Sequence, residues 1–330
     1  RVLFRSLISI VGSTASGKTA LALELASIFS REKDQISLEE VHLLSADSRQ
    51  VYHGLENLSG ADIPTGWSRE ESSNWPYPFF HHPQLPIFFH GLSIITPDQD
   101  WSVAHFSRLA QRLRRQLQKH DLLIVVGGTG FYHKQLWQPA ATLHIAPNLK
   151  LRATLSSYRV SQLQQKLQQL DPEKLASMNQ SDRHNPRRLI RALEVVLAQE
   201  SDDLKINPQL TADVQQFYLH SNRLKRQAKI KARVADRFEA AAAEVTQLIS
   251  RYQLPTTSPV NSTIGLQELR RYLQGHISKD QCLTQWQQRE IQYATDQDTW
   301  WQKYAKGTQL TAEKPEQALK LVYQEIRSVL

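Results

Sequence analysis

Gly12, Gly17, Lys18 and Thr19 stand at the spacing G-x-x-x-x-G-K-[ST] within VGSTASGKTALALELA, residues Val11 to Ala26. Glycines at these places let the backbone wrap a phosphate with successive N–H groups turned inward, and the helix that follows adds the partial positive charge of its N-terminus. Lys18 supplies a full charge, and the Thr19 hydroxyl can ligate a Mg²⁺ shared with the phosphates. The pattern specifies a di- or triphosphate of the nucleotide-binding type. It leaves open whether that phosphate is hydrolysed, passed on as a phosphoryl group or expelled as a leaving group. A nucleoside triphosphatase carries an acid at the end of a second core strand to help hold the metal. LLIVVGGTG, from Leu122 to Gly130, ends in glycines instead. VHLLSAD, from Val41 to Asp47, does end in an acid. An aspartate there can assist a metal or act as a general base.

These residues need a scaffold that brings strand ends together. LISIVG (Leu7 to Gly12), VHLLSAD and LLIVVGG are continuous apolar runs, the character of strands buried on both faces. Helical patterns separate them. Gly17 to Phe29 carries Leu21, Leu25 and Ile28 on one side, and SVAHFSRLAQRLRRQLQKH repeats Val103, Phe106, Ala110, Leu113 and Leu117 at helical spacing. The alternation predicts an α/β fold, P-loop NTPase-like, with a mainly parallel sheet flanked by helices. Val214 to His220 reads as a further strand. The stretch SREESSNWPYPFFHHPQLPIFF reads as an irregular surface excursion, with His81 and His82 as polar loop residues rather than metal ligands.

From Thr142 to Lys205 apolar strands give way to Gln-, Leu- and Arg-rich helices, which predicts an inserted all-helical subdomain. The organisation expected is therefore a first part of the α/β core over 1–141, a helical insertion over 142–205, and the rest of the core with C-terminal helices over 206–330. In the insertion, Asn185 reads as a helix cap and Pro186 as the first helical residue. Arg187, Arg188 and Arg191 then share one side, with Leu189, Leu193 and Val196 facing inward. Arginines at a helix start gain nothing from its dipole, so this side is expected to meet phosphates.

The 330 residues hold 40 Lys and Arg against 32 Asp and Glu, a net charge of +8 that favours an anionic partner, nucleic acid first. Cys282 is the only cysteine, which excludes an internal disulfide and a cysteine-built zinc site and fits a reducing cytoplasm. The longest apolar runs are too short to span a membrane. RVLFRS resembles the start of a signal peptide, but the run after it meets a glycine loop and a lysine, so it reads as the lead-in to the first strand. No exposed heptad or long edge strand is apparent, and a monomer is expected.

SADSRQVYHGL (Ser45 to Leu55), together with STASGKT and VVGGTGFYHKQL, resembles the tRNA dimethylallyltransferases, also called tRNA isopentenyltransferases. The resemblance continues in order through DPEKLASMNQSDRHNPRRLIRALEV, RLKRQAKIKARV, STIGLQELRRYLQG and QYATDQDTWW, so it covers nearly the whole chain. It implies that the loop holds the diphosphate of dimethylallyl diphosphate and that the prenyl group moves to N6 of an adenine adjacent to the anticodon of tRNA. Diphosphate then departs from carbon, and no acid is needed to aim water at phosphorus.

By the same resemblance Asp47 is the general base, with Thr14, Lys18 and Arg233 completing the catalytic set. Gly12, Thr14, Ala15, Ser16, Gly17, Lys18 and Thr19 form the diphosphate cradle, with Thr19 toward Mg²⁺. Asp47, Ser48, Arg49 and Gln50 grip the target base, Gln50 by hydrogen bonding, and Thr129 touches the substrate. Arg152, Arg187, Arg188 and Arg191 contact the tRNA anticodon stem-loop. Arg223 also matches a family arginine, and His90 matches the second of a structural histidine pair. The chain departs from the family pattern at Ser13, a proline elsewhere, and at Ser93, an aspartate elsewhere. Basic residues are replaced at Ala61, Gln267, Ile291, Thr295 and Asp296, and Glu290 replaces a threonine. No C-terminal zinc finger of the eukaryotic kind can be built from one cysteine, which points to a bacterial-type member. Three other readings are open to these residues. One is prenyl transfer to a free adenine nucleotide, one is a P-loop kinase of a small molecule using Asp47 as base, and one is a degenerate tRNA-binding relative without turnover.

Overall fold

The computed structural model describes residues 7–328, except 74, 141, 144, 200–213 and 257. The chain divides into two compact units, one of residues 1–138 and 211–330 and one of residues 139–210. In the first unit the chain runs β1 (Leu7–Val11), α1 (Lys18–Arg31), α2 (Lys33–Ile36), β2 (Val41–Ser45), α3 (Glu56–Ser59), β3 (Ser68–Glu70), β4 (Phe79–His81), β5 (Ile87–His90), α4 (Val103–Gln116), β6 (Leu122–Gly127) and α5 (Gly130–Trp137). The second unit holds α6 (Leu149–Leu155), α7 (Val160–Leu170), α8 (Pro172–Ser177), α9 (Gln180–Arg183) and α10 (Pro186–Gln199). The chain then returns to the first unit with β7 (Val214–His220), α11 (Arg223–Asp236), α12 (Phe238–Arg251), α13 (Leu266–Leu273), α14 (Lys279–Tyr304), β8 (Thr308–Thr311) and α15 (Pro315–Arg327). No described helix is long and apolar enough to cross a membrane.

The strands form one sheet in the order β3-β4-β5-β2-β6-β1-β7-β8. From β5 to β8 every neighbouring pair is parallel, with Leu7 opposite Leu123 and Val214, and Val41 opposite Leu122 and Ile87. β1, β2 and β6 are buried along their whole length. Alternate residues therefore feed separate cores on the two faces. Ile8, Ile10 and Ile124 pack with Leu21, Leu25 and Phe29 of α1 and with Val322 and Ile326 of α15. Leu7, Leu123 and Val125 pack with Phe106 and Leu113 of α4, Val234 of α11, Val245 of α12 and Trp286 of α14.

Two segments differ from the sequence expectation. The stretch expected to be an irregular excursion supplies β3, β4 and β5. β4 pairs antiparallel with β3 and β5, and β5 joins the sheet beside β2. Prolines, a charged Ser-Arg-Glu strand and strands of only three and four residues hide the period-2 signal there. His82 instead closes the turn between β4 and β5, its Nδ1 accepting the Gln84 and Leu85 N–H groups at 3.1 Å. The second addition is β8, whose TQLT lacks an apolar run yet pairs with β7.

The helical unit has its own core of Leu155, Leu163, Leu167, Leu189, Leu193 and Val196. The inward positions expected on α10 are thus buried. Parallelism of β1, β2 and β6 sends all three strands out at one edge of the sheet, the edge where open α/β sheets place their ligands.

Candidate active site

Beyond β1 the chain must turn back into α1 within six residues. Ala15 adopts φ +59° and Gly17 φ +92° to make that turn. Gly12 is fixed by packing instead: a Cβ there would lie 2.5 Å from the Leu219 carbonyl oxygen of β7. Lys18 folds back over the loop and donates from Nζ to the Ser13 carbonyl at 3.1 Å. Burial pushes its pKa down to about 8, against the raising effect of Asp47; Arg233 lowers it further.

Asp47 follows the end of β2. Its Oδ1 accepts the N–H of Arg49 at 2.8 Å and that of Gln50 at 3.3 Å, an Asx-type turn that fixes the carboxylate. Oδ2 has no hydrogen-bond partner among the described residues. Arg49 is tied by its guanidinium to the Pro259 carbonyl at 2.8 Å. Gln50 departs from the expectation that it offers its amide to a base. Its Nε2 donates to the Gly60 carbonyl and its Oε1 accepts the Ser45 hydroxyl, both at 2.9 Å, so the side chain braces the segment after α3.

These groups open on one cavity of about 650 Å³. Thr14, Ala15, Gly17, Lys18 and Thr19 form one wall, Asp47 to Gln50 another, and Arg233, Arg237, Arg289 and Tyr293 a third. Gly12, Ser16 and Thr129 do not line it. Thr129 precedes α5, its N–H on the Ala46 carbonyl at 3.2 Å, and its hydroxyl is buried without a hydrogen-bond partner among the described residues. Burial pushes the Tyr293 hydroxyl up to about 12.

The arginines of the third wall are already paired. Arg233 donates to both Asp62 oxygens at 2.7 Å and to the Gly60 carbonyl at 2.8 Å. Arg237 pairs with Glu290, which also accepts the Trp286 indole N–H at 3.0 Å, and the guanidinium lies 5.1 Å from the Trp286 ring centre. Arg289 reaches Glu268 at 2.8 Å. Glu290 is therefore half of a buried ion pair rather than a simple loss of a polar residue from the family pattern.

The residue that sequence reasoning missed is Gln297. Its Oε1 accepts the Thr14 N–H at 2.7 Å, which ties α14 to the phosphate loop across 283 residues. Room for this comes from GGTG: a Cβ on Gly128 would lie 2.2 Å from Gln297 Nε2, and one on Gly130 would lie 2.1 Å from the Trp300 ring. Gln297 is one glutamine in a Gln-rich helix, and nothing in its spacing sets it apart.

In the helical unit the four arginines divide. Arg152 clasps buried Glu194 with two bonds of 2.6 and 2.8 Å. Arg191 reaches the same carboxylate at 3.2 Å and the Thr142 and Ile145 carbonyls at 2.9 Å. Both were expected to face phosphates; both also serve Glu194, whose carboxylate at 3 % exposure demands counter-charge, while their own side chains stay 44% and 32% exposed. Arg188 pairs with Asp182 at the surface, and Arg187 is exposed at the start of α10.

A phosphate-loop α/β scaffold with a fixed carboxylate across one cavity from the loop defines a group-transfer site on a phosphorylated substrate. A family model described as IPP transferase matches residues 82–304. A tRNA dimethylallyltransferase of an Exiguobacterium species is 30% identical over 303 residues, spanning 90% of this chain and 88% of the relative. One of Trichormus variabilis is 30% identical over 330 residues, spanning 97% and 99%. The crystal structure of the full-length tRNA isopentenylpyrophosphate transferase of Bacillus halodurans superposes with a TM-score of 0.63 at 25% identity, over 98% of both chains. A eukaryotic dimethylallyltransferase acting on tRNA shares the fold, with a TM-score of 0.68 at 19% identity over 93% of this chain and 74% of that one. The chain belongs to the IPP transferase family, that of the tRNA dimethylallyltransferases.

Gln297→Ala leaves the Thr14 N–H without its partner. The unfolding free energy is expected to fall by about 1–3 kcal/mol, read by urea denaturation, and the Thr14 amide to exchange faster with solvent. Unchanged exchange at Thr14 would remove Gln297 from the support of the loop.

Proposed function

We propose that the chain transfers the dimethylallyl group of dimethylallyl diphosphate to N6 of the adenine adjacent to the anticodon in tRNA, releasing diphosphate, as a cytoplasmic monomer. The observation that carries this reading is one cavity lined by both the phosphate loop and Asp47, while β6 ends in glycines where a phosphate-hydrolysing site would place an acid. The reacting centre is then carbon, and the loop serves a leaving group.

The backbone of Ala15 to Thr19 at the start of α1 binds the diphosphate, and Lys18 Nζ holds the charge that grows on the departing oxygen. The carbonyl of Ser13 keeps that ammonium at the loop in the meantime. Asp47 receives the N6 proton as the C–N bond forms and the C–O bond breaks, with no covalent intermediate on the protein. Its Oδ1 is committed to backbone N–H groups, so Oδ2 is the oxygen that takes the proton. Displacement of the target base from its stack is what lets N6 reach a carboxylate at the floor of a cavity. Thr19, on the cavity wall as the second residue of α1, fits a Mg²⁺ shared with the diphosphate, which when bound neutralises the leaving group. Arg187 and Arg188, exposed at the start of α10, suit phosphates of the RNA backbone.

Mass spectrometry of nucleosides from unmodified tRNA incubated with protein, Mg²⁺ and dimethylallyl diphosphate is expected to show N6-dimethylallyladenosine. Asp47→Asn is expected to abolish it with tRNA affinity nearly unchanged; equal product from the variant would take Asp47 out of the mechanism.

A pH profile follows from Lys18. In the free protein its charge is lost as pH rises through about 8, so kcat/KM for the donor is expected to fall above that value. Between about 8 and the ordinary 10.5 the unfolded chain holds a proton that the native chain has lost, so stability rises over the same window in which donor binding weakens. A profile flat from pH 7 to 10 would contradict it.

Arg187→Ala and Arg188→Ala are each expected to reduce the salt slope of tRNA binding by about 1 with unfolding little changed. Arg152→Ala is expected to lower stability by about 1–3 kcal/mol, because buried Glu194 loses charge-assisted bonds but keeps Arg191. Denaturation and binding isotherms at several salt concentrations separate the two effects.

A further inference from the structure

The opposite edge of the sheet, where the parallel strands begin, carries a second cluster. Glu40 directly precedes β2 and Asp121 directly precedes β6. The register that places Val41 opposite Leu122 sets these two carboxylates side by side. His42 lies two residues beyond Glu40, on the same face of β2. One donor atom from each of Glu40, His42 and Asp121 lies within 4.8 Å of the other two, and His42 Nε2 stands 3.0 Å from Glu40 Oε2. None of these residues touches the cavity described above.

Two features point to a missing cation. Asp121 is 7 % exposed, and its Oδ2 accepts the Gln118 N–H at 2.6 Å, yet Oδ1 is buried with no hydrogen-bond partner. A buried carboxylate oxygen left unmatched is costly, the more so beside a second carboxylate. Among the described residues no lysine or arginine forms an ion pair with Glu40 or Asp121. The imidazole is also prepared for a metal. His42 is 1 % exposed, and its Nδ1 lies 3.1 Å from His90 Nε2. His90 Nε2 is thereby placed to accept the Nδ1–H of His42. His42 Nε2 itself pairs with Glu40, and an ion bound there would take the place of the Nε2 proton, with His90 as the outer partner that orients a ligating histidine.

We propose that Glu40, His42 and Asp121 form a site for one divalent ion of the zinc type, tying β2 to β6 at the sheet edge remote from the phosphate loop. One imidazole nitrogen and two carboxylate oxygens, with water as a fourth ligand, match the coordination of Zn²⁺. Mg²⁺ prefers six oxygen ligands in octahedral geometry and does not suit this set. Ligands of a tetrahedral zinc ion stand about 3.3 Å apart, close to the present separation of His42 and Glu40. The ion can enter from the side of Glu40, whose side chain is 45% exposed.

The test is titration of Co²⁺ and of Zn²⁺ into the chelator-stripped full chain. Visible absorption and calorimetry are followed, with thermal unfolding in parallel. One ion per chain is expected, with tetrahedral Co²⁺ bands, displacement by Zn²⁺ but not by Mg²⁺, and a raised unfolding midpoint. Glu40→Gln changes a half-exposed group, and Asp121→Asn keeps an oxygen for the Gln118 N–H, so both should fold. Each is expected to weaken binding more than about tenfold and to lose the metal-dependent rise in midpoint. Absence of saturable binding to the wild-type chain would overturn the proposal, as would undiminished binding to both variants.

Discussion

The hydrogen bond from the Thr14 N–H to Gln297 joins the phosphate loop, made near the start of the chain, to a helix made near its end. A loop built for anions consists of backbone donors that cannot pack against apolar neighbours, so it depends on whatever lies over it. Here that is α14, which reaches the loop because the strand end below it carries no side chains. Gly128 and Gly130 give up their Cβ atoms to Gln297 and Trp300. The glycines of GGTG thus shape the site by admitting a helix rather than by touching a ligand.

Charge in the cavity follows a second rule. Arg233, Arg237 and Arg289 each face an acid, at Asp62, Glu290 and Glu268. Lys18 and Lys229 line the same space without an ion pair among the described residues. Pairing holds the third wall in place before a ligand arrives, while the unpaired Lys18 stays at the loop. Glu290 shows the cost of judging such a site by counting basic residues. It removes no positive charge from the wall and fixes one there, since a buried arginine without its carboxylate would be strongly disfavoured.

Much of this was legible in the sequence, for reasons that can be named. β1, β2 and β6 are runs buried on both faces, and α1 and α4 repeat their apolar positions every three or four residues, so burial wrote itself into composition. The family resemblance was legible for the same reason of spacing, in GSTASGKT, SADSRQVY and GGTG. β3, β4, β5 and β8 were not, because strands of three or four residues with polar or proline-rich surroundings leave no period to read. At the site, Asp47 and the loop were found because each is a recognisable pattern at a strand end. The bonds of Gln297 to Thr14 and of Arg152 to Glu194 were not legible, because the partners lie 283 and 42 residues apart. A helix dipole argument could place arginines on α10 but could not say that Glu194 would claim one of them.

The span of the Thr14–Gln297 bond has a consequence in time. At about 5–20 residues added per second during translation, the 283 residues between the two partners take roughly 15–60 s to synthesise. For most of that interval the nascent chain already carries its phosphate loop and Asp47, but α14 does not yet exist to back them. The apolar β1 edge waits a shorter time for its β7 partner, which follows the helical unit. The site is therefore assembled last, when α14 closes over the loop.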